Sequence, residues 1–154
     1  MHVDLPLVEQ LVTDVCSNML GLSVSPDHQS GQSHANDWIA TIHISGDWDA
    51  LVEMQFTEAA AAQFAATMFG KSADELSSEE VRDAVGEVVN MLGGNLKGMV
   101  NGESNLSLPC VGMQTQKSLC PNYERLISGQ FCCESHPFRI SILQSQCELV
   151  GAAG

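Results

Sequence analysis

Ser77–Val100, SSEEVRDAVGEVVNMLGGNLKGMV, is the stretch on which the reading of this chain turns. At about 100° per residue, Val81, Val85, Val88, Leu92, Leu96 and Met99 fall on one stripe, the spacing of an amphipathic helix with one buried face. Ser77 followed by Glu80 fits a capping box, in which each side chain satisfies an orphan backbone N–H at the helix start. Asp83, Glu87, Asn90, Gly94 and Lys97 cluster on the opposite face, which the core does not use. Glycines stand at 86, 93, 94 and 98, and each costs roughly 1 kcal/mol of helix propensity against alanine. Four in one helix require a reason, such as the close approach of another backbone. The run GGNLKG lacks the G-x-x-x-x-G-K-S/T spacing of a phosphate loop, so a nucleotide site is not indicated.

Upstream of this helix, KSADELS is a link, and EAAAAQFAATMFG reads as an alanine-rich helix with Thr57 as its N-cap and Gly70 as its terminator. Before it, WIATIHIS and LVEMQF alternate and are rich in β-branched and large side chains. Joined through Gly46-Asp47, they predict a hairpin with Val52, Met54 and Phe56 on one face and Glu53 and Gln55 on the other. SVSPDHQSGQSHAND is polar, contains Pro26 and Gly31, and predicts an exposed loop. At the N-terminal end, Leu7, Leu11, Val15 and Met19 predict a helix over 5–20 closed by Gly21. Downstream, NLSLPCVGMQTQ predicts a strand interrupted by Pro109, hence an edge or bulge position. LISGQFCCES and FRISILQS predict two more strands separated by His136-Pro137. Residues 151–154 have too little to bury and predict a loose tail. With no repeat and no internal linker, residues 1–150 form one domain, an α/β (α+β) sandwich with a mostly antiparallel sheet.

Six Lys and Arg against nineteen Asp and Glu give a net charge of −13, with no Lys or Arg before Lys71. Such a chain repels a phosphate backbone and an anionic membrane surface, and a basic partner suits it better. No apolar run approaches the ~20 residues that span a bilayer, and the start MHVDLPLVEQLV is unlike a signal peptide. The six cysteines (16, 110, 120, 132, 133 and 147) mostly sit among apolar neighbours, as in LPCV and QFCCE. A reduced, cytoplasmic protein with buried thiols is the expectation. Cys132 and Cys133, adjacent on a strand, point to opposite faces. His28, His34, His43 and His136 show no metal-ligand spacing with these cysteines, so no metal site is expected.

Asp83-x3-Glu87-x2-Asn90-Met91, continued as GGNLKG, resembles the signature helix of the CheX/CheC/FliY family of chemotaxis phosphatases. The likeness extends outward. ISGDWDALVEMQFTEAAAAQFAATMFG is similar to that family's hairpin and following helix, LSLPCVGM to its strand after the signature helix, and VTDVCSNMLGL to the opening helix of CheX. The resemblance implies a CheC-like fold and hydrolysis of the aspartyl phosphate on a CheY-like response regulator. It assigns Asn90 to orienting a water for in-line attack and Glu87 to pairing with a lysine of the regulator. Asp83, Gly94 and Lys97 would line the partner-binding face. Magnesium would belong to the regulator, so the chain needs no cofactor of its own. A single Glu-x-x-Asn pair, with Asp14-x-x-Ser17 in the first helix, matches CheX better than the two-motif CheC proteins and implies a homodimer joined through its sheets. Two alternatives remain at this point: a non-catalytic module of the same fold that binds a regulator or signalling complex, and a cysteine-based redox or metal sensor.

Overall fold

The computed structural model describes residues 3–27, 37–100, 102–113 and 123–145. A helix, α1 (Leu5–Thr13), widens into a π-helical segment (Asp14–Met19) and leads to a short strand, β1 (Val24–Pro26). The hairpin of β2 (Trp38–Gly46) and β3 (Ala50–Phe56) is followed by α2 (Glu58–Phe69), a 3-10 turn (Ala73–Glu75) and the long α3 (Ser78–Gly98). Four strands close the described chain: β4 (Ser104–Leu106), β5 (Cys110–Met113), β6 (Tyr123–Cys133) and β7 (His136–Ser145). All pair antiparallel in the order β1-β6-β7-β3-β2-β4, and β5 shares the β2 edge with β4.

Side chains alternate along each strand, so the register fixes which residues meet the helices. Trp38, Phe56, Phe138 and Phe131 fall on one row across β2, β3, β7 and β6. Phe64 of α2 packs edge-on against Phe56 and Phe138, with ring centroids 5.2 and 5.3 Å away. The helices cover this one face. Val85, Val88, Val89, Leu92 and Leu96 of α3 and Val8, Leu11, Val12 and Val15 at the N-terminal end join it in a single core. The result is a two-layer α+β domain. Thr57 caps α2 by accepting the Ala60 N–H at 3.1 Å, and Gly70 ends it at φ +66, a left-handed conformation that costs a glycine little.

The N-terminal helix departs from expectation. It does not run as one α-helix to Leu20, although Gly21 does close the segment, at φ +72. Its buried stripe is Val8, Leu11, Val12, Val15 and Cys16, while Met19 is exposed. A strict four-residue step such as 7, 11, 15, 19 drifts about 40° per step around a 3.6-residue helix, so its last member leaves the core. The polar stretch after Gly21 contributes β1, and Asp37 is buried rather than looped out, accepting from Gln55 Nε2 at 2.9 Å. Gln55 is buried too, and its Oε1 accepts from Arg139. His28, His34 and Gly31 lie outside the described residues, as do Cys120, Cys147 and the 151–154 tail.

Pro109 does interrupt a strand: β4 and β5 flank it on the sheet edge. The turn between β6 and β7, however, is Glu134-Ser135, both at positive φ (48° and 77°), as a two-residue hairpin demands. His136 and Pro137 belong to β7, where His136 faces Cys133 across the ladder. Cys16 and Cys133 are buried as expected, but Cys110 is exposed, because alternation on β5 gives the helix-facing position to Val111. Cys132 and Cys133 part as predicted: Cys133 enters the core and the Cys132 thiol donates to Asp27 at 3.2 Å.

Candidate functional site

The start of α3 is fixed twice. Ser77 Oγ accepts the Glu80 N–H at 3.1 Å, and Glu80 Oε1 accepts the Ser77 N–H at 3.0 Å. Lys71 then donates to the other Glu80 oxygen at 2.7 Å. The Lys71 hydrogen bond, helped by that to the Ser77 backbone, holds the Glu80 carboxyl below its usual range. Farther along, Arg82 donates to the Val111 carbonyl at 2.7 Å and lies over the Trp38 ring, tying α3 to the β2–β5 edge. Nothing in the spacing of the sequence distinguishes Arg82 from a solvated cation.

The four glycines divide by role. A Cβ on Gly93 would stand 2.7 Å from Ile42 Cγ2, and one on Gly86 3.3 Å from Val111 Cγ2. These two admit the chain's own sheet rather than a second protein. Gly94 and Gly98 have nothing within 4 Å of an added Cβ. Met99 is exposed at the helix end and Val81 only half-buried, while Val89 is fully buried and lies outside the expected stripe.

The polar face is where the sequence places it. Asp83, Glu87 and Gly94 are exposed, and Asn90 and Lys97 half-buried. These residues share one side of the helix over about 21 Å of its length. Glu87 and Asn90, three residues apart, have Cβ atoms about 5–6 Å from each other and can enter one concave site together. Among the described residues neither side chain has a hydrogen bond or ion pair, and Asp83 and Lys97 likewise have none. An amide and a carboxylate are thus held on a rigid, doubly capped helix with their donors and acceptors uncommitted. Beside the last turn, a groove of about 550 Å³ runs between Gly94, Lys97 and Gly98 and the chain returning through Glu103–Asn105.

Elsewhere, His43 Nε2 meets Asp49 Oδ1 at 2.6 Å, and the Tyr123 hydroxyl contacts both. His136 is not near them in the ladder. Among the described residues no group of three or more His, Cys, Asp or Glu could hold a metal ion, and no helix is long and apolar enough to cross a membrane.

A long helix laid across one face of an antiparallel sheet is the architecture of a CheC-like domain. The family model described as chemotaxis phosphatase CheX matches residues 38–131, more than half of the chain, and the chain belongs to that family. CheX from Vibrio vulnificus superposes with a TM-score of 0.69 at 23% identity, covering 87% of this chain and 91% of that one. CheX from Desulfovibrio desulfuricans gives 0.67 at 23% identity, covering 88% and 95%. The CheX–CheY–BeF3–Mg2+ complex from Borrelia burgdorferi gives 0.64 at 14% identity, covering 87% and 92%. No curated protein matches the sequence.

Proposed function

We propose that this protein hydrolyses the aspartyl phosphate of a CheY-type response regulator, with Asn90 positioning the water and Glu87 gripping the partner. The observation that carries this reading is the Glu87–Asn90 pair, uncommitted and side by side on a helix whose start and seat are fixed. The Asn90 carboxamide oxygen accepts a hydrogen bond from a water and aims it at phosphorus opposite the acyl oxygen. A P–O bond forms to the water oxygen and the bond to the aspartyl carboxylate breaks. The carboxylate leaves with the bonding pair, and the water's proton departs with inorganic phosphate or to solvent. Such a transfer asks chiefly for alignment and charge stabilisation, which an amide meets without a proton transfer of its own. The Glu87 carboxylate, one helical turn away, pairs with a lysine of the regulator. Magnesium sits on the regulator, as the CheX–CheY complex from Borrelia burgdorferi supports, and phosphate charge is neutralised there. By the same resemblance we propose a homodimer as the working form.

The test is to load a CheY-type receiver with phosphate and follow its decay with and without this protein. Accelerated decay that Asn90→Ala removes supports the assignment. Binding without acceleration identifies a non-catalytic module instead, and acceleration that survives Asn90→Ala assigns the water to another residue.

A further inference from the structure

The groove at the end of α3 continues past Gly94 and Lys97 to a wall that the phosphatase reading does not use. Its floor is the helix flank at Gly94 and Gly98, where nothing among the described residues comes within 4 Å of an added Cβ. Its far wall, Glu103 to Asn105, is pinned before any partner arrives. Asp47 Oδ2 accepts the Glu103 N–H at 2.9 Å, and the Asp47 N–H donates to the Glu103 carbonyl at 2.9 Å. Gly102, at φ +100, backs directly onto that carboxylate. A fixed wall beside a bare helix flank makes a preformed slot, which binds without an ordering cost.

The charges narrow the occupant. Three basic side chains lie on or beside α3. Lys71 is committed to Glu80, and Arg82 to the Val111 carbonyl and the Trp38 ring. Lys97 alone of these has no partner among the described residues, and it lines the slot. The remaining lining is Val100, Gly102, Glu103, Ser104 and Asn105, so the slot pairs one cation at Lys97 with one carboxylate on the opposite wall. The slot is continuous with the Glu87–Asn90 face, since Gly94 and Lys97 belong to both. Resting on the phosphatase reading, we propose that this slot is a second docking site for the same receiver domain. It takes an extended loop of the partner, backbone against Gly94 and Gly98, with an acidic side chain on Lys97. Glu87 and Lys97 then demand opposite charges from the partner at two points about 15 Å apart along the helix. That pattern fixes the orientation in which Asn90 meets the phosphoryl group and selects among receivers.

The experiment uses the full chain and a CheY-type receiver loaded with beryllofluoride and Mg2+ for binding, and with phosphate for turnover. Gly98→Leu fills the slot without touching the core, and Lys97→Glu reverses its charge. Each should weaken binding about tenfold or more and raise KM in proportion. Asn90→Ala should do the reverse, keeping the affinity and losing kcat. Thermal melts accompany each variant, because a lysine in the last turn also complements the helix dipole. A change in melting with unchanged affinity assigns Lys97 that structural role and overturns the slot. Parent-like affinity in both slot variants overturns the slot while leaving the phosphatase reading standing. A receiver bound through the slot but hydrolysed no faster than alone overturns the phosphatase reading and keeps the docking site.

Discussion

Gly93 and Ile42 are packed so closely that the helix carrying the candidate site admits no methyl group between them: a Cβ on Gly93 would meet Ile42 Cγ2 at 2.7 Å and Leu106 Cδ1 at 3.1 Å. Ile42 is fully buried and cannot swing aside. Gly93→Ala gains about 1 kcal/mol of helix propensity but overpacks a core position at about 1–3 kcal/mol, so net destabilisation is expected. Gly94→Ala, one residue on, meets open space and should stabilise by about 1 kcal/mol. Urea unfolding of the two variants, compared at equal m-value, checks the opposed signs.

Asn90 should show the conflict between stability and activity at a single position. Its side chain is half-buried and makes no hydrogen bond among the described residues, and asparagine is a poorer helix former than alanine by several tenths of a kcal/mol. Asn90→Ala is therefore expected to melt at or slightly above the parent while losing about a hundredfold or more in phosphatase rate. A variant that loses both stability and rate would show the asparagine to be structural.

Much of this was legible because caps and periodicity are local. Thr57, Gly70, Ser77 and Glu80 mark helix ends through side-chain-to-backbone bonds that span three or four residues, and all four do what their spacing predicts. The Glu87–Asn90 face was legible for the same reason, since residues on one face of a helix share it whatever the helix packs on. What the sequence could not show depends on distant partners. Gly86 and Gly94 look alike in the chain, yet Val111 lies against one and nothing against the other. Arg82 looks solvated until β5 places a carbonyl in reach. Asp37 reads as loop until Gln55, eighteen positions away, buries it.

Ser135 lies at φ 77, in the left-handed region that a side chain enters at a cost. Its neighbour Glu134, also at positive φ, accepts from Gln63 Nε2 at 2.7 Å, whereas Ser135 has no such bond among the described residues. Ser135→Gly should relieve the strain and stabilise by about 1 kcal/mol, read as a higher urea midpoint with the hairpin register kept.

The buried thiols predict the protein's alkaline limit. Burial, with a smaller contribution from Cys133, pushes the Cys16 thiol from 9.0 up to about 12; burial, then the charges of Glu134 and Cys132, pushes Cys133 up to about 11. Between those values and 9 the native state holds protons that the unfolded state releases. Stability is therefore fully present below pH 9 and falls as pH climbs through 9 towards 11 and 12. Urea midpoints measured across that range should decline, and Cys16→Ala should flatten part of the decline even though it opens a small cavity. Reactivity should follow the same order. In the native state at neutral pH, mass-mapped alkylation is expected at exposed Cys110 well before Cys132, with Cys16 and Cys133 modified only on unfolding. Rapid native labelling of Cys16 would mean that α1 and its π-helical extension open locally at low cost, and the pH dependence would shrink with it.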